Sequence, residues 1–170
     1  MKRLLIVVDY QYDFVCGSLG FDKAKELEKG ILEKIAKYQN DEIIYTLDTH
    51  FDDYLTTAEG KSLPVPHCIK GTVGHKLYGG LAGALKGKLC FEKNTFPSLE
   101  MAKYLEGKDF DTIELCGLVS NICVLSNAVM AKSACPNSEI IVDSSLTAAA
   151  DEEMHQKSLD VMKGLFIKVL

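Results

Sequence analysis

The chain has 170 residues, 47% hydrophobic and 25% charged, with a net charge of −5. These values suit one globular domain, residues 1–170, with a sizeable core, and the acidic balance without any basic cluster argues against nucleic acid as a partner. Leu4–Val8 is too short for a signal peptide, and the longest apolar tract, Leu115–Ala131, is broken by Ser120, Asn121, Ser126 and Asn127, so no membrane span is expected. Six cysteines without a CxxC pair, in a chain able to build a core, predict reduced thiols and a cytoplasmic protein.

Arg3–Asp9 is a continuous aliphatic run closed by an acid, the pattern of a parallel strand buried on both faces. A loop over Tyr10–Phe21 precedes a helix over Asp22–Tyr38, in which Leu27, Ile31, Ile35 and Tyr38 recur near helical spacing. Asp41–Asp48 reads as a second strand. Thr49–Gly87 is rich in Gly, Pro and polar residues and holds three of the four histidines. So long a connection inside a domain is expected to be a functional loop. Leu89–Phe91 is a third strand, followed by Glu92-Lys93, and Pro97–Leu105 is a helix with proline near its first turn. Thr112–Cys116 is a fourth strand ended by Gly117. Ser120 or Asn121 can then cap a helix carrying Ile122, Leu125 and Val129 on one face. Glu139–Val142 is a strand, Asp151–Met162 a helix and Leu165–Val169 a closing strand. Alternating strands and helices predict a mainly parallel sheet of about six strands with helices on both faces.

In such sheets ligands sit beyond the carboxyl ends of the strands. Asp9 ends the first predicted strand, Asp48 and His50 the second and Lys93 the third, and Cys123 follows the fourth. Cys123 falls in the first turn of a helix, where unpaired N–H groups and the positive end of the macrodipole favour a thiolate. Each residue taken alone has a plainer role: a packed thiol, a loop-anchoring carboxylate, a solvated lysine. Together on one rim they suggest nucleophilic attack on a carbonyl, with Cys123 attacking, Asp9 shuttling the proton and Lys93 holding the charges in register.

The ordered segments VVDYQYDF, DTH, PHCIKGT-x-G, FEKNTF and GLVSNICV resemble those of the isochorismatase-like cysteine hydrolases, the nicotinamidase branch in particular, over nearly the whole chain. The resemblance implies a three-layer α/β/α sandwich and an Asp9–Lys93–Cys123 triad. It implies hydrolysis of a small amide, nicotinamide to nicotinic acid and ammonia through a thioester on Cys123. Another small carboxamide, ureido or carbamoyl substrate is the alternative, and a catalytically idle metabolite-binding protein is the reading outside enzymes. It further implies a cis Leu118–Val119 bond and an oxyanion hole built from the N–H groups of Val119 and Cys123. One divalent transition metal, zinc with iron or manganese as alternatives, is expected on Asp48, His50 and His67, with Glu59 or water completing the shell. A homo-oligomer is also expected.

Two departures stand out. The stretch after the DTH segment reads FDDYLTT and lacks a further histidine, and the chain has no tryptophan, with Pro64 where the branch commonly places one to stack on the substrate ring. Phe14 is expected to supply one aromatic wall, with Leu63 or Tyr54 closing the other side. Cys68 is expected to pack, Cys16, Cys90, Cys116 and Cys135 to be structural, and His75 and His155 to take surface or helix roles.

Overall fold

The aliphatic runs assemble into one sheet. The computed structural model of the chain describes residues 1–170. β1 (Arg3–Val8) is flanked in parallel by β2 (Glu42–Asp48), and β2 in turn by β3 (Leu89–Lys93). On its other side β1 pairs with β4 (Thr112–Leu118), followed by β5 (Glu139–Ala148) and β6 (Lys168–Val169). The order β3-β2-β1-β4-β5-β6 is parallel at every pairing, so the carboxyl ends of all strands share one edge.

Alternation along β1 divides the core in two. Leu5 and Val7 face α2 (Asp22–Lys37), where Ala24, Leu27, Ile31 and Ile35 are buried at helical spacing. Leu4, Ile6 and Val8 face the opposite layer, which contains Met101 and Leu105 of α5 (Leu99–Leu105), Ala128 and Ala131 of α6 (Leu125–Ala134), and Leu159 and Met162 of α7 (Glu152–Gly164). Each large aliphatic side chain so buried contributes roughly 1.5–3 kcal/mol. Helix starts follow ordinary capping chemistry: Ser98 Oγ accepts from the Met101 N–H, and Asp151 Oδ1 from those of Glu153 and Met154. No helix is long and apolar enough to cross a membrane.

Several details differ from the sequence pattern. The expected loop Tyr10–Phe21 contains the short helix α1 (Tyr12–Val15), and the long connection holds a 3₁₀ turn (Tyr54–Thr56), α3 (Ala58–Ser62) and α4 (Leu81–Ala84). Neither Ser120 nor Asn121 caps the helix after β4. A wide π-type turn over Ser120–Val124 intervenes, in which the Val124 N–H reaches Val119 O at 3.1 Å. The face carrying Ile122 and Val129 is not the buried one, these residues being 38% and 37% exposed. Val124, Asn127, Ala128 and Ala131 turn inward instead, because small side chains let the helix lie close to the sheet. β5 runs past Val142 to Ala148, and the closing strand shrinks to two residues because α7 continues to Gly164.

One glycine is dictated by position. Gly117 has φ +115°, and a Cβ there would lie 2.0 Å from Val8 O. The bare backbone lets the end of β4 press against the residue preceding Asp9.

Candidate active site

β1 and β3 end in charges that meet across β2. Asp9, with φ 44°, and Lys93 are both buried, and Lys93 Nζ lies 2.6 Å from Asp9 Oδ2. The same ammonium is 3.3 Å from Asp48 Oδ1 and 3.7 Å from Cys123 Sγ. Thr46 donates its hydroxyl to Asp9 Oδ1 at 2.7 Å. Cys123 itself is 4% exposed, at the wide turn beyond β4. The peptide bond Leu118–Val119 just before that turn is cis.

Burial sets the protonation pattern. It pushes the Asp9 carboxyl above the usual carboxylate range, although Lys93 and the Thr46 hydroxyl pull the other way. It also opposes the charge on Lys93, but Asp9, Cys123 and Asp48 outweigh it and hold the ammonium charged. Burial, then the Asp9 carboxylate, push the Cys123 thiol well above its ordinary value. Burial of the sulfur thus works against the helix-terminus expectation of a thiolate.

Beside this cluster, Asp48, His50, Glu59 and His67 place four donor atoms within 4.8 Å of one another. Asp48 Oδ2 lies 3.0 Å from His50 Nε2 and 3.2 Å from His67 Nε2, and Glu59 Oε1 lies 3.6 and 3.5 Å from the same nitrogens. His67 donates its Nδ1–H to Val65 O at 2.8 Å, which leaves Nε2 as the nitrogen facing the cluster. Burial, then Asp48, push the Glu59 carboxyl upward, although His50, His67 and Lys93 pull the other way. Two imidazoles and two carboxylates converging on one point fit a borderline divalent ion such as zinc. Glu59 reaches the cluster from α3, whose first turn is fixed by Thr57 accepting from the Gly60 N–H.

The part that sets this geometry, Gln11, carries no signal in the sequence pattern. Its fully buried amide donates to Asp48 O at 2.8 Å and His75 O at 2.9 Å, and accepts from the Asp48 N–H at 2.8 Å. His75 is buried rather than on the surface and shares a hydrogen bond with Thr49 Oγ1. A short parallel bridge, with the His50 N–H on Cys68 O and the Lys70 N–H on His50 O, brings His50 and His67 to one depth.

A cavity of about 270 Å³ opens over both clusters, with Cys123, Asp48, Glu59 and His67 on its lining. Phe14, as expected, lines it, with its ring 5.5 Å from that of His67, and Leu63 lies on the lining too. Tyr54 is not a wall. It is buried, with its ring packed edge-on at 4.7 and 5.1 Å from those of His50 and His67. Pro64 is exposed and off the lining, so nothing stands in place of a tryptophan there. Phe21 and Phe96 supply aromatic surface instead, which their loop positions in the sequence did not signal. Cys68 packs as expected, whereas Cys16 is exposed.

Fold and site together define an α/β enzyme of the hydrolase class. The Isochorismatase domain profile matches residues 3–170, and the chain belongs to that family. The nicotinamidase of Saccharomyces cerevisiae is 25% identical over 99% of both chains. The solved nicotinamidase/pyrazinamidase of Bacillus subtilis is 27% identical, covers 99% of both chains and superposes with a TM-score of 0.89. The pyrazinamidase of Pyrococcus horikoshii, solved in complex with zinc, has the same fold at 24% identity, a TM-score of 0.86, and coverage of 100% of this chain and 99% of its own.

Proposed function

We propose that the chain is a cysteine-dependent amidohydrolase that converts nicotinamide, or a close planar amide, to the acid and ammonia. The observation that carries this reading is the single ammonium of Lys93 lying 2.6 Å from Asp9 and 3.7 Å from Cys123 at the base of a largely apolar cavity. The names of the relatives in yeast and Bacillus subtilis support the substrate class.

Asp9 accepts the thiol proton as Cys123 Sγ adds to the amide carbonyl, and its raised affinity for protons suits it to that transfer. The N–H groups of Val119 and Cys123 are assigned the role of stabilising the developing oxyanion. The C–N bond breaks as the proton passes from Asp9 to nitrogen, and ammonia leaves a thioester on Cys123. Water then attacks the thioester, giving its proton to Asp9. The acid departs and that proton returns to sulfur. Lys93 stays charged throughout and keeps the Asp9 carboxylate aimed at the thiol. Asp48, His50, His67 and Glu59 would hold a divalent ion of the zinc type, which supplies an electrophilic anchor for a ring nitrogen. Phe14 bounds the ring on the side of His67, and the apolar lining excludes bulk water from the nucleophile.

Ammonia release measured across a panel of pyridine, aliphatic and ureido amides tests the reading. Turnover is expected to be fastest on nicotinamide. Preference for a ureido compound would keep the mechanism and replace the substrate, and no release from any member would overturn the proposal.

A further inference from the structure

Ser120 opens the wide turn that carries Cys123, and its side chain is fully buried. A buried hydroxyl needs a partner. Here the partner is the imidazole Nδ1 of His155, 2.8 Å from Ser120 Oγ. His155 lies on α7, one turn beyond Asp151, which caps that helix. The cavity is bounded on one side by Val119, Ile122 and Cys123 and on another by Ala149, Ala150 and Asp151, the residues that lead into α7. The His155–Ser120 hydrogen bond therefore ties the turn bearing the thiol to the helix that carries the facing wall.

The other flank of the turn is held differently. Asn127, fully buried in α6, donates to Cys123 O at 2.8 Å and Phe96 O at 3.1 Å, and accepts from the Ser98 N–H at 2.9 Å. That clamp belongs to the core, and its loss would disturb folding. His155 is only partly buried, so its ring can be changed without opening the core.

We infer that His155 is a positioning residue for the reaction: through Ser120 it fixes the turn from which Cys123 attacks. This rests on Cys123 being the nucleophile. A displacement of about 1 Å can cost about 10²-fold in rate, and loss of one restraint among several on the turn should cost about tenfold. KM should change less, because much of the cavity lining comes from other elements.

The test uses His155→Ala, His155→Asn, Ser120→Ala and the double variant His155→Ala/Ser120→Ala. Two readouts are taken: kcat and KM on the amide the parent hydrolyses best, and the iodoacetamide alkylation rate of Cys123 without substrate. Alkylation is followed by peptide mapping, because Cys16 is exposed and reacts as well. His155→Ala should lower kcat and Cys123 alkylation about tenfold each. His155→Asn, whose amide reaches the place of Nδ1, should restore most of both. The double variant should be no worse than the worse single, as expected of two residues acting through one bond. Parent-like alkylation and kcat in His155→Ala would overturn the inference, as would equal losses in the Ala and Asn variants or additive losses in the double. If turnover survives Cys123→Ala, the proposed function fails instead, while the alkylation rates still decide whether His155 sets the turn.

Discussion

Two lysines in this molecule, Lys93 buried and Lys34 half-buried, sit between pairs of carboxylates, and only Lys93 lies in a reactive setting. Lys34 of α2 bridges Glu114 and Asp143 in the sheet, at 3.0 Å from Asp143. The remaining oxygens there are occupied: Tyr38 donates to Glu114 Oε2, and Ser145 donates its N–H and hydroxyl to Asp143 Oδ1. Lys93 bridges Asp9 and Asp48 in the same manner. There, however, a thiol lies within 3.7 Å of the ammonium and a cavity opens above. Identical charge patterns thus serve as a strut in one place and as a proton-handling device in the other. The difference is a neighbouring nucleophile and a space for substrate, not the charges themselves.

The largest effect that could break this contrast is on turnover. Cys123→Ala should abolish ammonia release while leaving urea unfolding nearly unchanged, because the lost atoms act mainly in bond making. Lys34→Met should do the reverse, leaving kcat intact and lowering unfolding free energy by about 1–3 kcal/mol, because it strands the buried Glu114 carboxylate. Equal activity losses in both variants would erase the distinction.

Asp9→Asn should come next. It removes the proton acceptor, so kcat should fall by orders of magnitude and alkylation of Cys123 by iodoacetamide near neutral pH should slow. Alkylation as fast as in the parent would show that Asp9 is not the base.

Metal removal should be smaller and selective. After dialysis against a strong chelator, with metal content followed by elemental analysis, binding of pyridine amides should weaken far more than chemistry on an aliphatic amide slows. Full activity of metal-free protein on nicotinamide would remove the Asp48–His50–Glu59–His67 cluster from the reaction.

The smallest effect sharpens the role of Asp9. Burial raises its proton affinity, so the protonated, inactive form persists to higher pH than for an ordinary carboxyl, and the acid limb of kcat/KM should lie above the ordinary aspartate range. The Thr46 hydroxyl stabilises the ionised form. Thr46→Val should therefore move that acid limb upward by about one pH unit. An unmoved limb would assign the titration to another group.

The fold and much of the candidate site were legible because one simple regularity links them. Aliphatic runs closed by polar residues mark parallel strands, and a parallel sheet brings all its strand ends to one edge. Asp9, Asp48, Lys93 and Cys123 could thus be gathered from sequence order alone. Glu59 was harder, since no periodicity links it to His67, and its place follows from the short helix α3 folding back over the loop. Gln11, Asn127 and His155 gave no signal, because an amide or imidazole is recognised as a clamp only by its partners. Those partners lie far along the chain, Asp48 and His75 for Gln11, Phe96 for Asn127 and Ser120 for His155.

What the sequence by itself determined was therefore the set of strands, their common direction and the chemistry gathered at their ends, since these depend on local hydrophobic pattern and chain connectivity. Only the tertiary structure decided which face of α6 is buried, which aromatic rings line the cavity in place of a tryptophan, and how deeply Cys123 is withdrawn from water. Those outcomes depend on how completely other segments exclude water from each group. Desolvation is summed over neighbours distant in sequence, and no local spacing encodes it.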